Sequence, residues 1–134
     1  MAEGAHTGAW KVAYWLLFAA FLAAAGLNLA GISAGFATSY AADLVCPAWL
    51  YIAIRSLHAP GSKHWLSRVF PTTPEVVASI LFFGSTLTEI SQRFWPRGIF
   101  SGTYDPLDIV AFAAGVGTCY AFDPDSRLRA RRRT

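Results

Sequence analysis

The feature that most constrains this chain is a long uncharged stretch near its N-terminus. No charged residue lies between Lys11 and Asp43. A helix needs about 20 apolar residues to cross the hydrocarbon core of a bilayer. The sequence from Trp10 to about Ile32 meets this requirement, and its apolar run is too long for the core of a secretory signal peptide. The chain therefore begins with a predicted membrane-spanning helix.

Three further apolar segments follow the first one. They run from about Ala37 to Leu57, from Pro74 to about Arg93, and from Pro106 to about Phe122. Charged residues make up only 14% of the 134 residues, whereas a soluble domain carries about 25%. A soluble core of this size would need much more charged surface around it.

These segments predict an all-α fold, an integral membrane four-helix bundle. The bundle covers residues 10–123, between an N-terminal tail over residues 1–9 and a basic tail over residues 124–134. Asp105 precedes Pro106, which is typical of a capped helix start, and two threonines precede Pro74 in the same way.

The basic residues predict the orientation in the membrane. Arg93 and Arg97 lie in the linker between spans three and four, and all other Lys and Arg fall in or beside the N-terminus, the second linker and the tail. Because cytoplasmic loops carry the excess of basic residues, both termini are expected in the cytoplasm. The five Arg of the tail are read as an orientation signal that attracts anionic lipid, and not as a nucleic-acid site.

This topology brings polar residues together at the outer end of the bundle. Asp43 and three further acids converge there with Arg93, and we expect one connected polar network. The candidate ligand-binding residues in this network are Glu89, Gln92, Arg97 and Asp108. Two interpretations remain open. The acids pair with arginines only to hold the bundle, or the arginines bind an anionic or lipid ligand.

A set of residues between Thr88 and Gly117 also matches a family pattern. The matching positions are Glu89, Gln92, Phe94, Pro96, Arg97, Phe100, Asp108, Ile109 and Gly115. This stretch resembles the C-terminal signature of VanZ-like membrane proteins. The resemblance implies a four-helix envelope protein of the bacterial cytoplasmic (inner) membrane, with no settled reaction.

Other patterns for chemistry are weak. His58 and His64 lie six residues apart in a linker without a nearby acid, so we predict no metal site. Cys46 and Cys119 fall at different depths and are read as packing residues. No nucleophile–base pair or cofactor motif occurs, so we predict no catalytic residue and no cofactor.

Three function classes remain. The first is a VanZ-like envelope protein that binds a lipid or anionic ligand at the outer cluster. The second is a small non-catalytic accessory subunit that packs against other membrane protein subunits. The third, an enzyme that uses Glu89 or Asp108 on a lipid headgroup, has the least support from the residues.

Overall fold

The computed structural model describes most of the chain, and all regular structure in the described part is α-helical. It describes residues 2–32, 35–57, 73–97 and 103–133. The helices are α1 (Ala2–Leu29), α2 (Phe36–Ser56), α3 (Pro74–Phe94), α4 (Pro106–Phe122) and α5 (Pro124–Arg133). The all-α prediction is confirmed for these residues.

Helices α2, α3 and α4 lie where the apolar segments predicted them, to within a residue. The capping signals at α3 and α4 form as expected. The Thr73 hydroxyl accepts a hydrogen bond from the Val76 N–H at 3.4 Å, and the Asp105 carboxylate accepts one from the Leu107 N–H at 2.9 Å. Each side chain satisfies a backbone donor that the first helical turn leaves without a partner.

Two segments that were predicted as tails are helical. Helix α1 begins at Ala2 and not near Trp10, because the apolar run marks where a bilayer segment starts and nothing before it breaks a helix. The basic tail forms α5 because Asp123 and Pro124 start a new helix directly after α4.

The turn between α1 and α2 depends on glycine. Gly31 and Gly35 have φ angles of +67° and +69°, in the left-handed region that residues with a Cβ rarely adopt. The turn places α2 beside α1 as its neighbour in the bundle.

Helix α2 is the centre of the arrangement. It contacts α1, α3 and α4, whereas α1 contacts only α2 among the described helices. One buried apolar cluster consists of Tyr51, Ile52, Val77 and Val116, which are at most 5% exposed. These residues lie near the end of α2, the start of α3 and the second half of α4. This apolar cluster is therefore at one end of the bundle, and the cluster of acids is toward the other.

Within the described ranges, one helix is long and apolar enough to cross a membrane by length and composition. It covers Gly8–Leu29, with a mean hydropathy of 1.9, and few of its residues are buried within the chain. Helix α4 is a shorter apolar helix.

Helices α2 and α4 approach most closely at Gly115. A Cβ atom on Gly115 would overlap the backbone carbonyl of Leu44, so only glycine fits at this contact. Gly117 lies on the same helix, and a Cβ there would meet no atom within 4 Å. Small residues at such crossings let membrane helices pack closely.

We therefore expect Gly115→Ala to lower the free energy of unfolding by about 1–3 kcal/mol, the usual cost of overpacking. Gly117→Ala is the matched control, and it should be neutral or slightly stabilising because alanine favours helix. Thermal unfolding in mild detergent measures both. Equal midpoints for the two variants would mean that α2 and α4 do not meet at Gly115.

Candidate functional site

Four carboxyl groups meet where the first half of α2, the end of α3 and the start of α4 come together. We call these residues, Asp43, Glu89, Asp105 and Asp108, the acidic cluster. Glu89 is the most buried of them, at 3% exposure, and the other three are partly buried. The cluster therefore brings three helices together through polar groups toward the end of the bundle opposite the buried apolar cluster.

Asp105 connects all three helices of the cluster. Its backbone N–H donates to Glu89 Oε1 at 2.6 Å, and its carboxylate accepts from the Tyr40 hydroxyl at 2.7 Å. The same carboxylate caps α4 through Leu107. Two hydrogen bonds hold the pKa of Asp105 below its usual value. The larger effect comes from the Tyr40 hydroxyl and the smaller from the Leu107 amide.

Asp43 and Asp108 form a second contact within the cluster. Their carboxyl groups lie close to each other, and Glu89 is close enough to act electrostatically on both. Both ion pairs found among the described residues involve Arg55, at the opposite end of the bundle.

The structure brings together two of the four predicted ligand-binding residues. Glu89 and Asp108 lie in the cluster, Gln92 is half-buried on α3, and Arg97 is exposed beyond the end of that helix. The Glu89 carboxylate accepts a hydrogen bond from the backbone N–H of Asp105, and Arg97 takes no part in this contact. Ligand binding by these four residues stays a prediction.

Sequence reasoning missed a second polar site, where α2, α4 and α5 meet. We call it the Arg55 site, and it comprises Tyr51, Arg55, Asp123 and Asp125. Arg55 Nε lies 2.7 Å from Asp123 Oδ2, and its Nη2 lies 2.5 Å from Asp125. The Tyr51 hydroxyl donates to Asp123 at 2.9 Å, and both Tyr51 and Asp123 are fully buried.

A signal for this site was present in the sequence. Asp123 precedes Pro124 just as Asp105 precedes Pro106, so it marks a helix start in the same way. The Asp123 carboxylate accepts from the backbone N–H of Asp125 at 2.9 Å, as an N-terminal cap does. What the sequence did not reveal is that α2 ends with Arg55 at the same depth.

The weaker candidates add no further site. Cys46 and Cys119 are free thiols, and the Cys119 thiol lies 3.6 Å from the Ala48 carbonyl. His58 and His64 lie outside the described residues. Within the described ranges no group of His, Cys, Asp and Glu is arranged to hold a metal ion.

Comparisons of the chain with family models, with curated proteins and with solved structures find no match. The VanZ-like resemblance stays a prediction from the residues that carry it.

The two acids that bind Arg55 differ in how far their side chains are buried. Asp123→Asn should lower the free energy of unfolding by about 3 kcal/mol, because it removes one charge of a buried, hydrogen-bonded pair. Asp125 binds the same guanidinium but its side chain is 58% exposed, so Asp125→Asn should cost less than about 1 kcal/mol. Thermal unfolding in detergent compares them. Equal shifts would contradict the assignment of Asp123 as the buried anchor of α5.

Proposed function

We propose that this chain is a non-catalytic, lipid-binding membrane protein of the VanZ-like type, with α1 to α4 as four spans. Its apolar outer faces carry the proposal. Large apolar side chains are more than half exposed on several helices, including Trp15 on α1, Phe83 and Leu87 on α3, and Val110 on α4. Water-soluble monomers rarely expose such continuous apolar surface, whereas a bilayer favours it.

Helix lengths and polar pairing are consistent with four spans. Helices α2 and α3 have 21 residues each, and α4 has 17, or about 26 Å at 1.5 Å per residue. The acids within these helices contact neighbouring helices: Asp43 lies beside Asp108, and Glu89 accepts from the Asp105 backbone. Ionisable groups in membrane spans are expected to face the bundle interior and to pair in this way.

The proposed lipid contact of the acidic cluster is with a headgroup. Asp43, Glu89, Asp105 and Asp108 give this end of the bundle a local excess of carboxyl groups, while Arg93 and Arg97 are exposed beside it. This charge distribution favours a headgroup that carries an ammonium group together with a phosphate. A free anion would meet mainly carboxylates.

One observation supports a second candidate, an accessory subunit of a larger membrane complex. Helix α1 contacts α2 alone among the described helices, which leaves apolar side chains such as Leu16 and Leu22 more than half exposed. A partner helix could cover this face of α1. Purification from native membranes in mild detergent separates the candidates, since a stoichiometric protein complex supports the subunit and a monomer with bound lipid supports the first proposal.

The proposed topology places both termini in the cytoplasm and the linker between α3 and α4 outside. A fluorescent protein fused after Thr134 should therefore fluoresce, and alkaline phosphatase fused there should be inactive. Phosphatase inserted after Arg97 should be active, because that linker is expected on the outer side. A tail fusion with high phosphatase activity would contradict the topology.

A further inference from the structure

An apolar groove lies between α1 and α4, above α2. Both outer helices contact α2, but their backbones do not approach each other. The groove has a volume of about 430 Å³, within the range of ligand pockets. Ala48, Ile52 and Gly115 form its buried floor, and the exposed side chains of Leu16 and Phe122 form its walls.

The groove is too short for a partner helix that crosses the bilayer. On α2 it extends from Leu44 to Ile52, about 12 Å at 1.5 Å per residue. The hydrocarbon core is about 30 Å thick, so the groove covers less than half of it. The length therefore suits an acyl chain from one leaflet.

The end of the groove at Phe122 is next to positive charge. The Arg127 guanidinium lies 5.0 Å from the centre of the Phe122 ring, and its Nε donates to the Ala121 carbonyl at 2.8 Å. Arg127 is exposed and begins the arginine-rich part of α5. An arginine held over a groove wall in this way presents its remaining N–H groups to a phosphate at the membrane surface.

We propose that the groove binds an anionic phospholipid of the cytoplasmic leaflet, with one acyl chain on Ala48 and Ile52 and the phosphate at Arg127. This inference depends on the four-span topology proposed above. The site lies at the end of the bundle opposite the acidic cluster. A phospholipid bound there would place its negative charge next to the basic helix α5.

The test measures lipid retained by the purified protein. The chain is reconstituted into vesicles of equal parts phosphatidylglycerol and phosphatidylcholine, extracted in mild detergent, and analysed for both lipids per protein. Ala114→Trp fills the groove from an exposed wall position, and Thr118→Phe on the same wall is a second blocking variant. Ala113→Trp is the matched control, since Ala113 is exposed and does not line the groove.

The wild type and Ala113→Trp should retain phosphatidylglycerol, and the two blocking variants should lose it at unchanged unfolding temperature. Phosphatidylcholine bound at the acidic cluster should be retained equally by all of them. Arg127→Gln should weaken phosphatidylglycerol retention about tenfold, as expected for a hydrogen bond to a charged group. Blocking variants that fold and retain phosphatidylglycerol like the wild type would overturn the inference, as would an Arg127→Gln variant that retains it like the wild type. Release of the wild type from membranes by alkaline carbonate would instead overturn the four-span topology.

Discussion

The main constraint on this structure is its exposed apolar surface: many apolar side chains on the outside of the helices are not covered by other described residues. Helix α2 contacts α1, α3 and α4, whereas α1 contacts only α2 among the described helices. The buried apolar cluster around Tyr51 and Val116 is small and lies at one end. In water this exposure would favour association, whereas a lipid solvent removes its cost. The bilayer is therefore the proposed environment from which the other features follow.

Polar contacts at the two ends of the bundle fix the positions of neighbouring helices along their axes. Apolar packing alone would fix these positions less strictly. At one end, Asp105 connects α2, α3 and α4 through Tyr40 and Glu89. At the other end, Asp123 binds Arg55 and Tyr51 and so attaches α5 to α2. Such contacts have directional geometry and fix the helix register, which contacts between apolar side chains specify less strictly.

The sequence predicted the helices well because the responsible signals are local. The apolar segments and the Asp-Pro and Thr-Pro starts determine α2 to α4 without knowledge of their neighbours. The polar partners were harder to predict because they depend on depth and rotation of helices distant in sequence. Arg97 was expected in one polar network with Glu89, but it is exposed beyond the end of α3, and Glu89 accepts from the Asp105 backbone. Arg55 was predicted only to lie at the edge of the second linker, and its 2.7 Å contact with Asp123 was not foreseen.

Chemical labelling tests directly whether the apolar side chains on the outside of the bundle face lipid or water. Single cysteines at Phe83 and Val110, which are 67% and 62% exposed, are introduced after Cys46 and Cys119 are replaced by alanine. A membrane-impermeant maleimide is applied to open membrane fragments, and Asp125→Cys is the control in water. We expect labelling at Asp125→Cys only, with the other two positions labelled after denaturation in detergent. Rapid labelling of Phe83→Cys and Val110→Cys in the membrane fragments before denaturation would contradict a bundle solvated by lipid.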